Sequence, residues 1–222
     1  MASPTDRMAA GSGFGALAKA DELKKRLWFT VGALIIYRLG TYLPLPGINP
    51  GALADIFSQQ SSGILGMFDM FSGGALGRMT IFALNIMPYI TASIIMQLMT
   101  AIVPSLEALK KDGEGGRKTI NQYTRYLTVL LASVQGYGIA VALEAASGVV
   151  GDPGMFFRLT TVVTLVGGTL FLMWLGEQIT SRGVGNGISL IIFSGIVAEL
   201  PTALAGTLEL GRTGALSSIL IV

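Results

Sequence analysis

The stretch "MTIFALNIMPYITASIIMQLMTAIV", Met79–Val103, is 25 residues long and carries no charge. A helix rises 1.5 Å per residue and the hydrocarbon core of a bilayer is about 30 Å thick, so the stretch reads as a membrane-spanning helix. Two features are foreign to a plain anchor. Pro88 lies inside it and invites a kink, because it removes a backbone donor. Directly before it stands "FSGGALGR" (Phe71–Arg78), with Gly73 and Gly74 adjacent. Upstream, Ile64, Met67, Phe68 and Phe71 follow helical apolar spacing. Ile64–Phe71 spans only about 12 Å as a helix, too short to cross. It reads as a short apolar helix hinged by glycine, either a packed re-entrant element or a moving stopper.

The rest of the chain fits this membrane reading. Of 222 residues, 51% are hydrophobic and 13% charged, against about 25% charged in a soluble domain. Further apolar runs lie at Leu27–Leu43, Tyr126–Leu143, Leu159–Gly176 and Gly187–Ala205, and Leu216–Val222 looks like the start of a sixth. The organisation is therefore a polar segment 1–26, a membrane body 27–205 and a tail 206–222. No cleavable signal peptide is expected. The chain lacks cysteine and histidine. With them go disulfides, thiolate chemistry, the commonest general base and the commonest transition-metal ligand. No catalytic, metal or cofactor constellation stands out.

Basic residues orient the spans. Arg7, Lys19, Lys24, Lys25 and Arg26 precede the first run, and Lys110, Lys111, Arg117, Lys118 and Arg125 lie between the second and third. Arg182 falls on the same side, whereas the other side holds only Arg78, Arg158 and Arg212. The bias puts the N-terminus in the cytoplasm. The loop Ser105–Arg125, with Lys110, Lys111, Arg117 and Lys118, reads as a solvated positive loop or a docking surface. Gln97 and Gln135 are polar at membrane depth, fit for an interhelical hydrogen bond or a wet path. Ala132, Gly136 and Ala140 repeat every four residues and let another helix approach closely. "SRGVGNGIS" (Ser181–Ser189) reads as a tight turn, since no strand precedes it. Ile86 with Ile90, and Ile188 with Ile192, form i, i+4 pairs that alone would be packing residues.

"LGTYLPLPGI", "MFDMFSGGAL", "IFALNIMPYITASIIMQL", "KKDGEGGRKTINQYTRY" and "FLMWLGEQITSRGVGNGISLIIF" together resemble the first half of bacterial SecY, in the right order from about Leu23 to Arg212. The likeness is strongest to SecY of the alpha-proteobacteria. The resemblance implies an all-α integral membrane protein of five transmembrane helices plus a plug half-helix at about 64–76, one half of an inverted-repeat ten-helix channel. It implies a protein-conducting channel in the bacterial cytoplasmic membrane, with no enzymatic activity of its own. The implied partners are SecE, SecG, the SecA ATPase, the ribosome, the translocating polypeptide and the bilayer. On the matching positions Ile86, Ile90, Ile188 and Ile192 form half of a constriction ring. The depth of the apolar run favours Ile192 over Ile188. Gln97 and Gln135 become lateral-gate candidates, and Gly73-Gly74 the plug hinge. Asn85 stands where a glycine is expected, and its amide would either wet the ring or bond a neighbouring helix. Rival readings are half of a solute transporter, which should carry ionisable groups at the midplane, a membrane enzyme, and a non-conducting scaffold.

Overall fold

A computed structural model describes residues 21–53, 55, 69, 72–146 and 148–212. Six helices carry the described chain: α1 Asp21–Gly40, α2 Met87–Ile102, α3 Pro104–Lys111, α4 Glu114–Ala145, α5 Met155–Arg182 and α6 Gly187–Arg212. Three of them, α4, α5 and α6, are long and apolar enough to cross a membrane, and the pair α2–α3, bent by 99°, would make a fourth. α1 is 20 residues long and carries Arg38 in its last turn. Among the described residues extended pairing is limited to two isolated bridges, Pro44 with Thr80 and Ile48 with Val150.

α5 is the central helix, packing against α4, α6, α1 and α2. The small-residue repeat explains one of these seams. Thr124, Thr128, Ala132, Gly136 and Ala140 form a buried stripe along α4. A Cβ on Gly136 would lie 3.6 Å from Val162 Cα and 3.7 Å from Leu165, so the helices meet almost backbone to backbone. The predicted turn after α5 is also present. Gly185 has φ 75°, and the Asn186 carboxamide accepts from the Ile188 amide at 3.0 Å, starting α6. Thr30 of α1 accepts from Val184 N at 3.1 Å and ties the turn to the first helix.

Several expectations are corrected. The 25-residue apolar stretch is not one helix: it is helical only from Met87 to Ile102. Residues 79 and 81–86 run as turns on either side of the Thr80 bridge, with Met79 at φ 43° and Asn85 at φ 48°. Irregular backbone is tolerated at membrane depth only inside protein or along a water-filled cavity. Met79, Thr80, Phe82, Ala83, Leu84, Asn85 and Ile86 are accordingly all buried. Their backbone groups are bonded through Leu45 N to Met79 O (3.0 Å), Ile81 N to Leu43 O (3.1 Å) and Asn85 N to Phe82 O (2.8 Å). Pro88 therefore kinks nothing. It sits in the first turn of α2, where the missing donor would have had no helical partner.

The polar loop Ser105–Arg125 is largely helical. It is divided between α3 and α4 at Gly113, whose φ is 76°, and a Lys111–Glu107 ion pair of 2.7 Å supports α3. α6 continues to Arg212, beyond the expected boundary at Ala205, with Pro201 inside it. Ile64, Met67, Phe68 and Phe71, and the start of a sixth span at 216–222, lie outside the described residues.

Candidate functional site: the isoleucine cluster and the glycine hinge

The entry to α2 builds the site. Because residues 79–86 are unwound, Ile86 stands at the helix N-cap and Ile90 one turn inside. Ile86, 1% exposed, is buried with Ala33 and Tyr37 of α1, Phe82, Leu172, Leu175 and Ile179 of α5, and Ile191 of α6. Ile90 and Ile188 are half-buried against the same cluster. Three of the four expected ring residues are thus brought together. Ile192 is half-buried outside the cluster. The turn at Gly183–Asn186 starts α6 so that Ile188 lies against Gly176, 3.0 Å from a Cβ there. The buried Ile191 was missed, since nothing in an apolar run distinguishes one isoleucine from the next.

Asn85 adopts the left-handed conformation and is buried. That explains why glycine suits the position, asparagine being the next most tolerated residue there. Asn85 lies in the same buried region as Tyr37, Phe82 and Ile86. Tyr37 donates to the Ser72 carbonyl at 3.4 Å. Phe82 stacks between Tyr37 and Phe171, with centroids 6.2 and 5.8 Å away.

Gly73 and Gly74 have φ of 64° and 76°, a region that glycine enters without penalty. The Gly73 carbonyl accepts from Arg38 Nη1 at 3.2 Å and Arg78 Nη2 at 2.9 Å. Both guanidinium carbons lie over the Tyr42 ring, 5.7 and 4.6 Å from its centroid. This arrangement escaped the sequence reading, which took Leu27–Leu43 as a plain apolar run and Arg78 only as a charge on the outer side.

The glutamines do not meet. Gln135 lines a cavity of about 540 Å³ with Ser72, Leu76, Asn85 and Thr91. Gln97 donates to Ser93 at 3.3 Å and lines a separate cavity of about 250 Å³ with Lys110, Arg117 and Asn121. Lys110, Lys111, Arg117 and Lys118 are all exposed. Among the described residues no group of three or more His, Cys, Asp or Glu could hold a metal ion.

A family model described as SecY matches residues 80–222. The chain belongs to the SecY family. It is 57% identical over 207 residues to the protein translocase subunit SecY of Rickettsia bellii, covering 91% of this chain and 48% of that protein. It is 56% identical to the subunit of Escherichia coli K12, covering 90% of this chain and 46% of that one. The chain thus spans about half the length of the SecY proteins it matches. Among solved structures it is similar to one titled "The structure of a protein conducting channel", with TM-score 0.58, 20% identity, and 78% of this chain and 36% of the other covered. A SecY structure whose title assigns the plug domain a role in stabilising the closed state matches at TM-score 0.57 and 19% identity, covering 80% and 36%. At such identities the likeness establishes the helical channel fold.

Proposed function

We propose that this chain is the N-terminal half of a protein-conducting channel that passes unfolded polypeptide across, and releases apolar helices into, a bacterial cytoplasmic membrane. It conducts passively, without enzymatic chemistry of its own, and its energy comes from partners. The carrying observation is the convergence of Ile86, Ile90 and Ile188 at an unwound, buried entry to α2. Branched apolar side chains at a constriction exclude water and ions at rest, yet bind no passing side chain tightly. Ile192 borders the same opening from α6. The short segment at about 64–76 acts as the plug, hinged at Gly73-Gly74, in keeping with the role that title gives the plug domain of a relative.

The N-terminus lies in the cytoplasm, where the basic side chains of α3 and the start of α4 are exposed. Those side chains serve as a docking face for SecA or the ribosome, with SecE and SecG completing the membrane complex. Gln97 and Gln135 flank the route by which helices leave sideways. The test is reconstitution of the full-length protein with its partners in planar bilayers. A stalled translocating polypeptide should open an ion conductance that is absent at rest. A channel that never conducts, although it is folded and engaged with substrate, would end this reading.

A further inference from the structure

The glycine pair is held from three directions. From α1, the Tyr37 hydroxyl reaches the Ser72 carbonyl and Arg38 reaches the Gly73 carbonyl. Arg78, five residues on, donates to that same Gly73 oxygen. A carbonyl has two lone pairs, so both are used. From α6, the backbone closes in: a Cβ on Gly73 would stand 3.0 Å from Gly195 Cα, and one on Gly74 would stand 2.9 Å from Glu199 Oε1 and 2.8 Å from Arg78 Nη2. The turn between is knitted to itself, with Gly77 N donating to Asp69 Oδ1 at 2.7 Å and Leu76 N to Ser72 Oγ at 3.0 Å. Residues 72–77 thus form a self-bonded turn, fixed to its surroundings through the Ser72 and Gly73 carbonyls and the guanidinium groups stacked on Tyr42.

We infer that Arg38 and Arg78 are positioning residues that latch the Gly73-Gly74 hinge between α1 and α6, and that the hinge turns only when the Gly73 carbonyl is released from both. The inference rests on the channel reading for its consequence, conduction, but not for its geometry. Only Arg38 belongs to α1, so a shift of α1 away from the turn draws off one of the two donors, while Arg78 keeps the Gly73 carbonyl until its own bond breaks. Charge-assisted bonds are about twice as strong as neutral ones. Loss of one should raise the unlatched population about tenfold or more.

The experiment uses the full-length protein with its partners in a cysteine-free background carrying Ala75→Cys, a site 1% exposed beside the hinge. Labelling by a water-soluble maleimide reports hinge release, and bilayer conductance reports its effect. Arg38→Met and Arg78→Met should each speed labelling about tenfold. Resting conductance should rise, while the melting temperature and the conductance opened by substrate stay at parental values. Arg38→Lys, which keeps a donor and the charge, should fall between and guards against misfolding of the methionine variant. Unchanged labelling in folded variants overturns the latch. Faster labelling in a protein that never conducts supports the latch and removes the channel reading instead.

Discussion

Ile86→Asn and Ile90→Asn, made separately in the full-length channel, should give two different phenotypes although the residues lie one helical turn apart. Ile86 is 1% exposed and enclosed by α1, α5 and α6. Exchanging it for asparagine buries an amide with no designed partner, a cost of about 1–3 kcal/mol. It also replaces a branched side chain by one of different shape in a close-packed site, for a further ~1–2 kcal/mol. The apolar transfer itself adds little, because the unfolded reference in a bilayer is already surrounded by hydrocarbon. The expected loss is therefore about 2–5 kcal/mol of stability, with leakage accompanying partial unfolding. Ile90 is only half-buried. There the amide can point into the opening and keep water, so the loss should stay below about 1 kcal/mol. The wetted constriction should nonetheless pass small ions at rest and admit substrates with weakened signal sequences. Thermal unfolding in detergent and substrate-free planar-bilayer conductance separate the two effects. Equal destabilisation of both variants, or a tight channel carrying Ile90→Asn, would refute the reasoning.

Topology can be tested by single cysteines: Gly151→Cys should label from the outer face with an impermeant maleimide, whereas Gly115→Cys, where a Cβ meets nothing within 4 Å, should not. The neighbours Gly167 and Gly168 should part ways. Gly167→Ala faces open space and should stabilise α5 by up to about 1 kcal/mol. Gly168→Ala drives a methyl into the Ile81 carbonyl and should cost about 1–3 kcal/mol by thermal unfolding. Residues 1–222 alone, reconstituted with SecA and ATP, should fail to translocate a precursor in a protease-protection assay, and co-production of the C-terminal half with SecE should restore it.

The parts legible in sequence were those set by local pattern. Apolar length located α4, α5 and α6; the four-residue repeat of Ala132, Gly136 and Ala140 marked the α4–α5 seam; glycine and asparagine marked the turn before α6. Hydropathy misled at Met79–Val103, because it measures distance from water and cannot separate a helix in lipid from coiled chain wrapped in protein. Pro88 was ambiguous for the same reason: a proline breaks a helix or begins one depending on where the helix starts. The pairing of Arg38 with Gly73 spans 35 residues, and no periodicity encodes it. Of the candidate ring, Ile86, Ile90 and Ile188 came together, whereas Ile192 stayed apart from the cluster and Ile191 entered it unforeseen.

The sequence separations within the isoleucine cluster fix a timetable. Its earliest buried member is Ala33 and its last is Ile191. A ribosome adding roughly 5–20 residues per second takes roughly 8–30 s between them, whereas a helix forms in about a microsecond. The wait is therefore set by synthesis. Within it, Tyr37 and Arg38 are made about 2–7 s before Ser72 and Gly73, their acceptors 35 residues on. For those first seconds the Arg38 guanidinium has no Gly73 carbonyl to bond. The first half of this protein is thus itself a demanding client of whatever inserts it.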